Sequence, residues 1–155
     1  MDHKVKRIRD FFGPVIGAHL IRYETAEIEL DDGTWDPCDD LPIRLFTDAE
    51  MVLSIAWSEI DDLWLSLGLD IPFDAGSNIR WVSNSRHVIN GAIGKRLTSA
   101  MLGRGEMSIE GKDIEIWTRL ILRFGDIWLE IFNALDENGY DSHLVRPIGA
   151  IIECI

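Results

Sequence analysis

Carboxylates concentrated in one quarter of the chain are the side chains best placed for binding chemistry. The 155-residue sequence has a net charge of −12, and residues 24–62, with thirteen acids and one base, have that same net charge by themselves. The run 31–40 looks like a calcium-binding loop, but an EF-hand needs oxygen ligands at fixed positions around a glycine. That spacing is absent there and in 136–141, so we predict solvated turn acids and no metal site.

A concentrated acidic surface is typical of proteins that bind a basic protein partner. Carboxylates can replace the phosphates that a basic cleft normally holds, and the electrostatic field speeds association. An exposed aromatic side chain within such a surface adds binding energy, because Trp, Tyr and Arg dominate interface hot spots. We predict a partner-binding surface made of acids and one tryptophan, namely Asp31, Asp32, Trp35, Asp36, Asp39, Asp40, Asp48, Glu50, Glu59, Asp61 and Asp62.

Histidine and cysteine give weaker indications of catalysis. His87 follows two serines, but no Gly-x-Ser-x-Gly elbow accompanies it, and the four histidines have no ligand spacing such as His-x-x-x-His. Cys38 lies among aspartates, whose charge should raise the thiol pKa and make it a poor nucleophile. We therefore predict no catalytic residue and no cofactor. An enzyme with a dispersed site around His87 remains an alternative.

Charge and cysteine content also limit the partners and the compartment. Phosphates would be repelled by a chain this acidic, which argues against nucleic acid and against an anionic membrane surface. No apolar run approaches the ~18 residues of a membrane-spanning helix, and the apolar stretch after Arg9 is broken by Gly13 and Pro14, unlike a signal peptide. Cys38 and Cys154 are predicted to be reduced thiols of a cytoplasmic protein. No feature of the sequence indicates an oligomeric state.

The elements that must position these residues have a dominant period of two, which predicts strands. In 114–133, apolar and polar residues alternate on both sides of Gly125 and Asp126, which suit a type II′ turn. The predicted register places Phe124 opposite Ile127 and Leu122 opposite Leu129. A slip by one residue would turn the apolar set towards water, so the pattern specifies the register.

Other segments complete a mainly β chain. We predict a hairpin over 27–35 with a type I′ turn at Asp32 and Gly33, and a short amphipathic helix over 60–67 that ends at Gly68. The pair Asn138 and Gly139 predicts a turn. The predicted fold is a single β-rich domain, 1–155, with one antiparallel sandwich or partly open barrel and one or two short helices. An α+β fold is the alternative.

The strings 27–33 (EIELDDG) and 124–139 (FGDIWLEIFNALDENG), together with the charge, carry a family resemblance. In architecture and charge the chain resembles small acidic bacterial immunity proteins of polymorphic and contact-dependent growth-inhibition toxin systems. The resemblance implies a cytoplasmic non-enzyme that neutralises a cognate basic toxin domain, of nuclease type, by direct binding. A general β-rich ligand-binding or assembly module is the alternative in another functional class.

Overall fold

Two large antiparallel sheets, a small two-stranded sheet (Ser108–Ile109 with Lys112–Asp113) and an amino-terminal helix make up the fold in a computed structural model, which describes residues 1–76 and 78–155. The helices are α1 (Asp2–Phe12) and α2 (His87–Asn90), and a 3-10 turn (Gly13–Val15) follows α1. The strands are β1 (Leu20–Glu29), β2 (Trp35–Pro37), β3 (Ile43–Thr47), β4 (Val52–Ser58), β5 (Asp62–Leu67), β6 (Ile79–Ser83), β7 (Leu97–Gly105), β8 (Ser108–Ile109), β9 (Lys112–Asp113), β10 (Ile116–Phe124), β11 (Ile127–Asn133), β12 (Asn138–His143) and β13 (Ile151–Glu153).

The first sheet is built around the long strand β1. Strands β3, β4 and β5 follow it as a meander, and β6 pairs with its other edge. Strand β2 pairs with the last residues of β1 and β3 with the first, so the two lie end to end along one edge. Residues 38–42 connect the two strands, and Leu41 within this link is buried. The β1–β2 turn has a positive φ only at Gly33, and its amide donates to the Leu30 carbonyl. It is therefore a three-residue loop with a bulge, not the predicted type I′ turn.

The second sheet has the order β12-β11-β10-β7-β13 and contains the predicted hairpin. Phe124 pairs with Ile127 and Leu122 with Leu129, so the predicted register is confirmed. Gly125 has a φ of +60° and Asp126 does not have a positive φ, as a type II′ turn requires. The period-two pattern was sufficient to predict the register because one face of this hairpin is fully buried.

One hydrophobic core lies between the sheets and includes residues of both. The first sheet contributes side chains such as Tyr23, Leu45 and Trp57, and the second contributes Leu122 and Ile131. The Trp57 indole nitrogen donates across the core to the Ile131 carbonyl at 2.7 Å. The mainly β, antiparallel fold class is confirmed, and of the two predicted forms the packing of two sheets is the sandwich.

Helix α1 covers one side of this core, and the sequence pattern did not reveal it. Ile8 and Phe12 are fully buried and lie one turn apart on one face, and Val5 packs at the edge of the same cluster. Lys and Arg residues lie between these apolar positions, so in sequence the segment looks like the positively charged start of a signal peptide. None of the helices described is long and apolar enough to cross a membrane.

Two further predictions of local structure were wrong. Residues 60–67 are not a helix: 60 and 61 belong to the β4–β5 turn and Asp62–Leu67 form strand β5, because β4 offers a partner edge on which Trp57 pairs with Leu63 and Ile55 with Leu65. The Asn138–Gly139 pair begins strand β12 instead of a turn, since Asn138 is buried between the sheets. Tertiary contacts override local propensity at both sites.

The connection from β12 to β13, residues 144–150, must traverse the second sheet because these strands form its opposite edges. It runs over the outer face, where the Arg119 guanidinium donates to the Ile148 carbonyl at 3.2 Å. This crossing segment explains why Met101 and Ile121 are buried although their side chains point away from the core. Its own Leu144 and Val145 are about three-quarters exposed, at 76% and 74%.

Candidate functional site

The predicted acidic residues do not share one surface. Asp48 and Glu50 occupy the β3–β4 turn, beside the start of β1, where the His19 amide donates to Asp48. The β1–β2 turn with Asp31 and the β4–β5 turn with Glu59 lie at the opposite end of the same sheet, because β3 and β4 are antiparallel. Residues 24–62 are therefore acidic as a segment, but the structure places their carboxylates at opposite ends of the first sheet.

Several of these acids are already paired with bases of the same chain. Asp39 accepts two hydrogen bonds from the Arg86 guanidinium, at 2.6 and 3.1 Å. Burial lowers the pKa of Arg86, but the hydrogen bond and charge of Asp39 raise it overall. Asp61 pairs with Lys4 of α1 at 3.3 Å. Such carboxylates hold the fold together and are less available to a partner.

Further pairings involve Asp62, Asp48 and the predicted aromatic residue. Asp62 lies 4.0 Å from Arg7, and Asp48 accepts from the backbone amide and ring of His19, which lowers the pKa of Asp48. Trp35 is half-buried with the Arg80 guanidinium 4.4 Å from its ring centre. Within residues 1–76 and 78–155, the predicted acids without an ion pair are Asp31, Asp32, Asp36, Asp40, Glu50 and Glu59.

The catalytic alternative gains no support from the surroundings of His87. This side chain is exposed at the start of the one-turn helix α2, and it makes no hydrogen bond or ion pair to any described residue. Cys38 and Cys154 are free thiols. Burial and then the charge of Asp40 raise the pKa of Cys38, as the sequence predicted, and burial raises the pKa of Cys154 to about 11.

A pocket that the sequence did not indicate opens on the outer face of the second sheet. Its volume is about 540 Å³, within the range of ligand-binding clefts. Four carboxylates and one guanidinium line it, namely those of Glu106, Glu130, Asp136, Asp141 and Arg119. The lining is thus strongly acidic, with a formal charge of −3.

Glu130 is the centre of a charged network in this pocket. Only 8% of its side chain is exposed, and one carboxylate oxygen accepts a hydrogen bond from Arg119. The second oxygen lies 3.4 Å from Nε2 of His143, and Asp141 lies 3.7 Å from the same nitrogen. A carboxylate this buried is retained only where charged or polar neighbours compensate its lost hydration.

The rim of the pocket is apolar and exposed. Ile60, in the β4–β5 turn, is 59% exposed, and Leu135, in the β11–β12 turn, is 96% exposed. The side-chain amide of Asn133 ties the two turns together by donating to the carbonyls of Glu59 and Ile60 at 2.5 and 3.1 Å. Glu59, one of the predicted partner-binding residues, is thereby placed beside this rim.

A second cleft of about 800 Å³ continues the first beyond Arg119. It lies between the crossing segment, with Ile148, and the small β8–β9 hairpin, with Asp113. Arg119 borders both clefts and bonds to the carbonyls of Arg104 and Ile148, so its guanidinium is held in place between them. The outer face of the second sheet therefore carries two adjoining clefts.

Only part of this site could have been recognised from sequence. The predicted register already placed Glu130 on the outer face, opposite Ile121, and Asp141 and His143 have the i, i+2 spacing that brings side chains to one face of a strand. The sequence alone did not reveal that β12 pairs with β11, because the Asn138–Gly139 pair predicts a turn.

Comparison of the chain with protein-family models, curated proteins and solved structures finds no match.

Proposed function

We propose that this chain is a non-enzymatic acidic binding protein, and that its acidic pocket receives a basic side chain of a protein partner. The observation that carries the proposal is the pocket of about 540 Å³ with four carboxylates, one guanidinium and an exposed apolar rim. The site differs from the one predicted from sequence, but the chemistry of the partner is the same.

A lysine or arginine side chain has the shape and chemistry that this pocket requires. Its aliphatic stem can lie on Ile60 and Leu135 while its cationic head reaches the carboxylates of Asp136 and Asp141. Charge-assisted hydrogen bonds of this kind are roughly twice as strong as neutral ones. Since Arg119 already occupies one oxygen of Glu130, the other carboxylates offer the remaining acceptors.

A cognate toxin domain is the partner that we propose within this class, since the chain resembles acidic immunity proteins. In that role the protein acts in the cytoplasm and blocks a basic cleft of the toxin. The unpaired acids of the β1–β2 hairpin then contribute at long range, by steering association. Co-expression provides the direct test: a toxin domain encoded beside this gene should lose its toxicity in the presence of the wild-type chain.

The pocket assignment is tested with a short peptide of alternating arginine and leucine, followed by amide chemical shifts in NMR. We expect the largest shift changes at Glu130, Phe132 and Asp141, and none with a glutamate–leucine peptide of equal length. The double variant Asp136→Asn, Asp141→Asn should weaken peptide binding at least tenfold, since each lost charged hydrogen bond contributes about 1.5–3 kcal/mol.

The matched control is Asp31→Asn, Asp36→Asn, which changes the net charge by the same amount on the β1–β2 hairpin. We expect it to weaken binding no more than about twofold, by reduced long-range attraction. Equal weakening by both double variants, or shift changes confined to the hairpin, would contradict the pocket assignment and support the acidic hairpin instead.

A small cationic ligand is the second candidate occupant, because the volume also suits a small-molecule site. A small-ligand site corresponds to the alternative function, a β-rich ligand-binding module. Spermidine in the same NMR titration separates the two functions. Tighter binding of spermidine than of the arginine–leucine peptide would favour the small ligand, because spermidine has no apolar side chain to contact Leu135.

A further inference from the structure

We propose that Glu130, Asp141 and His143 form a binding site for a divalent first-row transition-metal ion, with Zn²⁺ as the best fit. The site lies at the wall of the acidic pocket, on strands β11 and β12. The inference does not depend on the proposed protein partner, because it rests on the geometry and burial of the three ligand side chains.

The three side chains have the arrangement of a metal site. Glu130 and Asp141 are direct partners in the β11–β12 ladder, and His143 follows two residues later on the same face. One ligand atom from each residue lies within 4.8 Å of the other two. Nε2 of His143 is 3.4 Å from Glu130, and Zn²⁺ with bonds of ~2.0–2.1 Å at tetrahedral angles separates its ligand atoms by ~3.4 Å.

An independent observation points to a ligand between these groups. Although 32% of the His143 side chain is exposed, its Nε2 atom is inaccessible to solvent and makes no hydrogen bond to any residue that the structure describes. Its distances to the two carboxylates, 3.4 and 3.7 Å, exceed those of hydrogen bonds. A buried polar atom without a partner is costly, and a coordinated cation would satisfy the nitrogen and both carboxylates at once.

The surroundings support a metal with a preference for nitrogen and an open coordination position. An imidazole ligand favours Zn²⁺ and its neighbours over Mg²⁺ and Ca²⁺, which prefer oxygen ligands. Arg119 holds one oxygen of Glu130 and leaves the other directed at His143, as residues around metal ligands commonly do. Glu130 and Asp141 line the pocket, so a fourth ligand can approach from its open side.

Isothermal titration calorimetry with ZnCl₂ tests the proposal on tag-free protein that carries Cys38→Ser, so that the half-buried thiol cannot contribute. We expect one saturable site, and no comparable binding with MgCl₂ or CaCl₂. His143→Gln and Asp141→Asn should each weaken Zn²⁺ binding at least tenfold. Asp141 is exposed and absent from the core, so its variant remains informative if His143→Gln fails to fold.

His87→Gln is the matched control, because it removes an exposed histidine outside the site and should leave the Zn²⁺ affinity unchanged. Titration with CoCl₂ provides a spectroscopic readout: the wild type should develop the intense visible absorption of tetrahedral Co²⁺, and His143→Gln should not. The proposal is overturned by absence of saturable Zn²⁺ binding, or by binding that both His143→Gln and Asp141→Asn leave unchanged. In the first case His143 only packs beside the two carboxylates.

Discussion

Asn138 joins the two sheets through a set of buried hydrogen bonds. Strand β4 extends beyond the start of β3, and its exposed edge is completed by the Asn138 side chain, which donates to the Ile55 carbonyl at 2.9 Å and accepts from the Trp57 amide at 2.8 Å. The backbone amide of Asn138 donates to the Asp39 carbonyl at 2.8 Å. A side-chain amide is suited to this place because it reproduces both the donor and the acceptor of a missing strand.

Replacement of Asn138 should therefore destabilise the whole molecule. We expect Asn138→Ala to lower the free energy of unfolding by about 2–5 kcal/mol, since it leaves a buried amide and a buried carbonyl of β4 unpaired. Urea denaturation followed by tryptophan fluorescence measures the loss. The control Asn78→Ala removes an exposed amide that donates to Glu29 and should cost less than about 1 kcal/mol. Similar losses of unfolding free energy in the two variants would show that the Asn138 hydrogen bonds between the sheets do not contribute specially to stability.

Residue chemistry was predictable from sequence where it depends on local neighbours. The raised pKa of Cys38 follows partly from Asp40, which is close in sequence. The packing of Arg123 on Trp128, at 4.8 Å from the ring centre, follows from the confirmed hairpin register. The role of Asn138 was not predictable, because an Asn–Gly pair signals a turn and only tertiary contacts reveal that it is buried.

At the scale of the element, a strand could be predicted from sequence when one of its faces is buried and its partner strand is adjacent in sequence. The β10–β11 hairpin meets both conditions, and its pattern specifies its turn and register. Segment 60–67 has its partner β4 directly before it in sequence, but its buried face is not evident: Ile60 and Leu67 are exposed, at 59% and 51%, and follow the spacing of one side of a helix. Helix α1 was missed because its buried face contains only a few apolar residues among charged ones.

The inward face of the β10–β11 hairpin can be tested with one new side chain at two neighbouring positions. Leu122→Asp places a carboxylate in the core without a partner and should unfold or aggregate the protein. Arg123→Asp introduces the same side chain on the exposed face and should cost at most about 1 kcal/mol. Circular dichroism melting curves measure both variants. A folded Leu122→Asp variant with an unchanged melting temperature would contradict the assigned face.

At the scale of the whole molecule, the charge asymmetry of the sequence is reduced by pairing across the fold. The basic residues of α1 meet the acidic β4–β5 turn, where Lys4 pairs with Asp61 and Arg7 lies near Asp62. Arg86, directly before α2, pairs with Asp39. The acid-rich segment 24–62 therefore did not predict the acidic pocket, because all four carboxylates of the pocket lie outside it and three of them come from residues 130–141.

The same cross-fold contacts predict that both sheets unfold as one cooperative unit, as the single-domain interpretation of the sequence requires. Trp57 and Asn138 bond across the two sheets inside one core, so neither sheet can open without exposing buried polar groups of the other. Native-state hydrogen exchange is the measurement. The slowest amides of β3–β4 and of β7–β10 should report the same free energy of opening, within about 1 kcal/mol, and Asn138→Ala should lower both equally. If one sheet exchanges through an opening that costs at least about 2 kcal/mol less than that of the other, the sheets are separate folding units and the single-domain prediction is wrong.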